Sequence, residues 1–267
     1  GWELQRSLVF LGEIVAPAAQ DTKKYFCGNL QNLEALRTTI KAVAPDVIVN
    51  AAAYTAVDKA ESEKDMAFLV NALAPEVLAQ SAAEIGAFLV HYSTDYVFDG
   101  SGSRAWEEAD ITNPLNVYGC TKLEGERRVI ASGCRHFIIR TSWVYASRGS
   151  NFAKTMLRLA QDKESLSVID DQYGAPTGAD LIADVTAHIV RQAVQQSALH
   201  GVYHLTARGE TTWYDYACFV LNLAHGKGVQ LNVTSEVVDP VSSTAFPTPA
   251  QRPMNSRLNC EKLERVL

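Results

Sequence analysis

Tyr118-Gly-Cys-Thr-Lys122 sets a phenol and an ammonium at positions i and i+4. On a helix such positions share one face. A cation beside a phenol favours the phenolate and lowers the phenol pKa from about 10 toward the working range. A tyrosine tuned this way can give a proton to a carbonyl oxygen or take one from an alcohol. Any amphipathic helix can carry the spacing, so the pair gains meaning only from its surroundings. Ser93-Thr94-Asp95-Tyr96 supplies hydroxyls able to polarise the same carbonyl. Pro114 and Asn116 stand just ahead of Tyr118, where a helix would start.

Such groups need a frame, and three short apolar runs supply it. Asp46 to Asn50, Ala87 to Tyr92 and His136 to Arg140 are β-rich, apolar on both faces and closed by polar residues. That is the pattern of buried parallel strands. Between them, apolar residues recur at helical spacing over Leu30 to Val43 and Ala67 to Ile85, and Thr121 to Ala131 is a third helix. The alternation predicts an α/β, Rossmann-like, doubly wound parallel sheet, with ligands at the carboxyl ends of the strands. From about residue 150 the character changes. Helices are expected over Asn151 to Leu159, Asp180 to Val194 and Trp213 to Ala224, with short strands at Leu166 to Ile169 and Gly201 to Leu205. Pro240 to Pro253 reads as an irregular loop that could cover a substrate. We therefore expect a cofactor-binding core over residues 1–150. Residues 151–267 would be mainly a smaller C-terminal substrate-binding lobe, with some elements returning to the core.

The 267 residues carry 24 Lys plus Arg and 30 Asp plus Glu, so 24 − 30 gives −6. A mildly acidic chain argues against sequence-independent binding to nucleic acid or to an anionic membrane. No apolar run reaches the length of a membrane span, and no signal peptide is visible. Five scattered cysteines without a C-x-x-C pair argue for a reducing compartment and against a disulfide or zinc scaffold. The expected location is cytoplasmic.

A strand-end hydroxyl, a Tyr-x-x-x-Lys and α/β alternation together describe a short-chain dehydrogenase/reductase site. Longer segments carry a closer likeness: Val49 to Glu61, His91 to Gly100, Pro114 to Lys122, Arg140 to Tyr145, Asn151 to Leu157, Asp171 to Gly178 and Arg252 to Leu258. In these the chain resembles the dTDP-4-dehydrorhamnose reductase family, extended-type short-chain reductases. The resemblance implies hydride transfer from NADPH or NADH to C4 of dTDP-4-dehydro-L-rhamnose, giving dTDP-L-rhamnose in a deoxysugar pathway that feeds cell-surface polysaccharide. It implies Tyr118 as proton donor, Lys122 as its electrostatic partner and ribose contact, and Thr94 as hydrogen-bond partner of the sugar carbonyl. By the same likeness Thr94, Asp95 and Trp143 line the sugar-nucleotide site. Gly1, Asn29, Leu30, Ala53, Tyr54, Thr55 and Tyr92, with Tyr118 and Lys122, line the cofactor cleft. Asn29-Leu30 stands where relatives carry Asp-Phe. Glu3 matches a residue that binds magnesium at a dimer contact in some members, which brings a magnesium ion and a homodimer into consideration. Its partner position is Asp180 rather than glutamate, and a lone carboxylate early in a helix is commonly there for the helix dipole.

Against the resemblance, the first strand and most of the glycine-rich turn are missing, with Gly1 as the last glycine of that fingerprint. Leu8 to Val15 is expected to be a helix end plus the second strand. The family's last helix would follow Leu267. The expectation is a fragment or truncated product. The alternative to a reductase is therefore a catalytically silent regulatory or binding subunit, or an inactive fragment, with the same fold. A related epimerase or dehydratase is a third reading. Cys120 reads as a packed small residue and His91 as a satisfied core histidine.

Overall fold

The computed structural model describes residues 1–17, 26–195 and 199–267. Helix α1 (Trp2–Leu8) and helix α2 (Leu33–Val43) come first, followed by strand β1 (Val47–Asn50) and the short α3 (Val57–Ala60). Helix α4 (Lys64–Phe68) runs through a π turn (Leu69–Leu73) straight into α5 (Ala74–Ile85). Then come β2 (Phe88–Thr94), α6 (Val117–Ala131), β3 (Arg135–Thr141), β4 (Val144–Tyr145) and α7 (Phe152–Asp162). The remainder is β5 (Leu166–Ile169), β6 (Tyr173–Gly174), β7 (Thr177–Gly178), α8 (Ala179–Gln195), β8 (Gly201–His204), β9 (Thr211–Thr212), α9 (Trp213–Gly226), β10 (Val238–Val241) and α10 (Glu261–Glu264).

Strands β1, β2, β3 and β8 pair in that order, all parallel. Successive strand side chains point to opposite faces, and both faces here are apolar. Leu89 and Ile138 pack with Leu36, Ile40, Val77 and Leu78 of α2 and α5. Phe88, Val90, Phe137 and Ile139 pack with Ile182, Ile189 and Val190 of α8. Each such side chain contributes on the order of 1.5–3 kcal/mol on burial. Helices cover both faces, so the strands need no polar side, and the Rossmann-like α/β expectation holds. A third apolar cluster lies apart from the sheet, built from Met156, Ala160, Val168, Ala217, Leu221 and Val238 of α7, β5, α9 and β10.

The helix starts follow local chemistry. Asn32, Asn116, Asn151 and Thr212 each accept a first-turn amide of their helix, a cap worth about 1 kcal/mol. Helix α5 stops at Gly86, whose φ of 74° is left-handed and suits a residue without Cβ.

Three expectations need correction. Leu8 to Val15 forms no strand: α1 ends at Leu8, Val9 to Leu11 is a turn, and Gly12 to Val15 has no regular structure. A strand exists only against a neighbour, and β1 pairs along one edge only among the described residues. The 22-residue helix Lys64–Ile85 is long and apolar enough to cross a membrane by length and composition alone, with an 18-residue window of mean hydropathy 1.2. Its apolar face packs against the sheet, which is how a core helix comes to have that composition. Finally, Pro240 lies within β10, pairing with β5 rather than in a loop. That strand is an edge, where a missing N–H is tolerated.

Candidate active site

Strand β2 and helix α6 build the site together. Helix α6 begins at Val117, one residue ahead of Tyr118. The Asn116 side chain caps the Gly119 amide at 2.8 Å, and Glu61 Oε1 accepts the Val117 amide at 2.8 Å. Gly119 matters here for its missing side chain: a Cβ would run into the Tyr96 backbone carbonyl. That close approach brings the end of β2 against the first turn of α6 and stacks the Tyr96 ring edge-on to Tyr118 at 5.4 Å. Gly119→Ala should therefore push α6 away from β2 and lower turnover about tenfold or more, on the sensitivity of catalysis to misplacement near 1 Å. Steady-state kinetics on the folded variant would check this, and unchanged kinetics would mean the contact is slack.

Asn71, in the π turn, holds the other side of α6. Its amide donates to the Tyr54 carbonyl at 3.0 Å and to Thr121 Oγ1 at 3.2 Å, while its oxygen accepts the Tyr54 amide at 2.8 Å. A π turn offsets one residue from the α-helical register, a device common at functional sites. Here it ties the loop after β1 to the helix bearing Tyr118 and Lys122. No sequence pattern singled out Asn71; the offset register that aims its side chain is invisible to a periodicity of 3.6.

The Lys122 side chain is 2% exposed. Its Nζ donates to the Tyr92 carbonyl at 2.7 Å and lies 3.5 Å from His91 Nε2. Burial pulls its pKa down to about 8, against the upward pull of Glu126. Glu126 is itself committed to Arg140, with Nε–Oε1 at 2.9 Å and Nη2–Oε2 at 2.7 Å.

Tyr118 differs from the sequence expectation. Burial pushes its phenol up to about 12, helped by the Asp95 charge and opposed by the Thr94 hydroxyl. The Lys122 ammonium is engaged by the Tyr92 carbonyl of β2. Burial also raises Asp95 to about 6, while hydrogen bonds from Ser256 and Thr94 oppose the rise. Thr94 Oγ1 donates to Asp95 Oδ1 at 3.1 Å and accepts the Tyr96 amide at 3.2 Å. Asp95 Oδ2, Ser93 Oγ, Thr141 Oγ1 and Ser142 Oγ are buried without a partner among the described residues. A row of unsatisfied polar atoms at the carboxyl ends of β2 and β3 suits a polar ligand.

Beside this row opens a cleft of about 650 Å³, lined in part by Tyr96, Phe152, Met156, Trp213, Phe246 and Arg252. The loop suspected of covering a substrate does line it, from Ser243 to Met254. Arg252 is fixed there by Asp58 through two contacts of 2.6 Å, and Asn116 Nδ2 donates to the Gln251 carbonyl at 2.7 Å. In the sequence Trp213 is only the first residue of an expected helix, and Tyr96 the residue after Asp95.

The structure brings Thr94, Asp95, Tyr118 and Lys122 together, and places the other expected residues variously. Trp143 stacks on Trp213 at 3.5 Å and lies over Gly174, where a Cβ would collide with the indole. Its φ of 47° is left-handed, a conformation costly for a residue with a side chain. Ala53, Tyr54 and Thr55 follow β1, with the Tyr54 hydroxyl on Glu63 at 2.6 Å. Tyr92 turns its hydroxyl away to Thr186 of α8 at 2.6 Å, so its carbonyl is the part that reaches the site. Strand parity is the reason: residues 88, 90 and 92 face α8, and 89 and 91 face α5 and α6. Leu30 buries its side chain in the core, and Asn29 Oδ1 accepts the Gln31 amide at 3.0 Å. Gly1 sits exposed at the start of α1. Glu3 lies in the first turn of α1 with one buried oxygen that has no partner among the described residues, and Asp180 Oδ1 accepts the Leu181 amide at 3.0 Å. No group of three or more metal-binding side chains exists among the described residues. Cys120 is exposed rather than packed, because i+2 from Tyr118 falls on the other side of α6.

The family model described as the RmlD substrate binding domain matches residues 1–267. The dTDP-4-dehydrorhamnose reductase of Salmonella typhimurium is 54% identical over 265 residues, covering 99% of this chain and 87% of that protein. The enzyme of that name from Escherichia coli is 53% identical with the same coverage. Among solved structures, a dTDP-4-dehydrorhamnose reductase from Clostridium acetobutylicum superposes with a TM-score of 0.86 at 36% identity, covering 99% of this chain and 88% of that one. Another, from Bacillus anthracis in complex with NADP, gives 0.85 at 33% identity, again covering 99% and 88%. With a Rossmann-like sheet, a Tyr118–Lys122 helix against a strand-end Thr94 and likeness along its whole length, the chain belongs to the dTDP-4-dehydrorhamnose reductase family.

Proposed function

We infer that this chain reduces dTDP-4-dehydro-L-rhamnose to dTDP-L-rhamnose, with Tyr118 as proton donor, Thr94 as carbonyl partner and Lys122 as the cation beside them. The observation that supports the residue assignment is the Tyr118 phenol beside the Thr94 hydroxyl at the carboxyl end of β2, with the buried Lys122 ammonium on the Tyr92 carbonyl of the same strand. A nicotinamide dinucleotide fits the residues present. Lys122 has three N–H donors, and the Tyr92 carbonyl occupies one of them, leaving capacity for a ribose diol. The exposed Ala51-Ala52 stretch after β1 leaves room beside it. When bound, the reduced cofactor supplies hydride to C4.

The remaining steps belong to the protein. Thr94 turns its hydroxyl from Asp95 to the sugar carbonyl and polarises it. As C4 is reduced, Tyr118 gives its phenolic proton to the oxygen. A phenol near 12 is in the protonated form throughout the working range, the form a reduction consumes. Transfer remains downhill, because an alkoxide is far more basic than a phenolate. The Lys122 ammonium then stabilises the phenolate. The cleft of Phe152, Met156, Trp213 and Phe246 takes the nucleotide part of the substrate, which makes residues from 151 onward mainly the substrate lobe, with α8, β8 and α10 returning to the core. Five scattered cysteines without a C-x-x-C pair support the cytoplasm as the location.

The test mixes the chain with NADPH and dTDP-4-dehydrorhamnose and follows loss of reduced-nicotinamide absorbance. Consumption requiring both reagents is expected. Because Lys122 sits near 8, its charge is complete well below that pH and is lost above it, so turnover should fall on an alkaline limb near 8. A folded chain that consumes nothing would be a silent binding subunit instead.

A further inference from the structure

His91 is 1% exposed and takes no part in the steps above. Strand alternation points it toward α6, directly at the lysine. Three polar contacts form a line through it. The Ala52 amide donates to Asn50 Oδ1 at 3.3 Å, Asn50 Nδ2 lies 3.0 Å from His91 Nδ1, and His91 Nε2 lies 3.5 Å from Lys122 Nζ. The Ala52 amide fixes which way the Asn50 side chain faces, so an N–H donor meets Nδ1. A neutral imidazole has one N–H and one lone pair. With Nδ1 accepting, its proton sits on Nε2 and points at Lys122.

We propose that Asn50 and His91 form a positioning pair that locks the Nε2–H tautomer and thereby lowers the proton affinity of Lys122. The proposal rests on the reading of Lys122 as the cation beside Tyr118. An amine nitrogen accepts from Nε2–H while still donating to the Tyr92 carbonyl. An ammonium has no lone pair, so two N–H groups would confront each other, or the imidazole would switch tautomer against the Asn50 amide. Either route penalises the charged lysine. The imidazole itself stays neutral: burial, Lys122 and then His136 of β3 hold it well below its ordinary range. The groups facing the pair are Lys122 from α6, His136 from β3 and Asn50 from β1. Glu126 acts on Lys122 from the next turn of α6 and is neutralised by Arg140 of β3. The consequence is a lysine held close to the point where a small added field, such as a newly formed phenolate, completes its protonation.

Nuclear magnetic resonance on the full chain tests this without substrate. The 15N shifts of His91 report its tautomer, and the 13Cε shift of Lys122 reports its titration. The expected wild-type result is an Nε2–H imidazole. In Asn50→Ala the tautomer is released, Nε2 can accept from the ammonium, and the Lys122 midpoint should rise by about one pH unit, a tenfold gain in proton affinity. An Nδ1–H tautomer in the wild type would overturn the proposal. So would an unmoved Lys122 midpoint in a variant with wild-type circular dichroism, since a purely structural role would leave that midpoint in place. If Asn50→Ala does not fold, the wild-type tautomer still decides. Neither readout depends on turnover, so a failed reductase assay and a failed tautomer assignment are separate outcomes.

Discussion

Tyr118→Phe should lower turnover by about 10²–10⁴-fold, the range for removing a positioned general acid. The variant loses one oxygen and keeps the ring, so the edge-on contact with Tyr96 at 5.4 Å survives and the fold should not change. Hydride addition without a proton leaves an alkoxide in a buried site, which is why the loss is large. Initial rates of NADPH oxidation, with circular dichroism as the control, decide the matter. Turnover within a factor of a few of wild type would remove Tyr118 from the proton-donor role.

The second large effect is on stability. Arg140 and Glu126 form a two-pronged ion pair with side chains 5% and 2% exposed. Removing one partner strands the other charge in the interior, which costs about 3–5 kcal/mol. Glu126→Ala should therefore show a markedly lower denaturant midpoint in urea unfolding. Replacing both with apolar residues of similar volume should recover most of the loss, because neither charge is then left unpaired. A single variant within about 1 kcal/mol of wild type would mean that water reaches the site and solvates the arginine, as it does at surface pairs.

Much of the frame is legible in the sequence. Val47–Asn50, Phe88–Thr94 and Arg135–Thr141 match the three apolar runs to within two residues, because strands buried on both faces advertise themselves by composition. Tyr118 and Lys122 were legible because a helix fixes which residues share a face. The strand expected over Leu8 to Val15 was misjudged for the complementary reason: apolar content alone does not supply a pairing partner. Tyr92 was assigned to the cofactor cleft by likeness, yet strand parity sends its side chain to α8.

Local pattern thus dictated which elements form and which chemical groups they carry, since helix and strand periods are properties of a few consecutive residues. The rest depended on contacts across the chain. Arg252 is held at the cleft by Asp58, a partner 194 positions away in sequence. Trp213 becomes a cleft wall by stacking on Trp143, and Asn71 reaches Tyr54 and Thr121 through a π turn. The ionisation of the site was settled last. Spacing predicts a depressed tyrosine, but burial raises Tyr118 and lowers Lys122. Desolvation depends on everything packed around a group, and only the tertiary structure determines that.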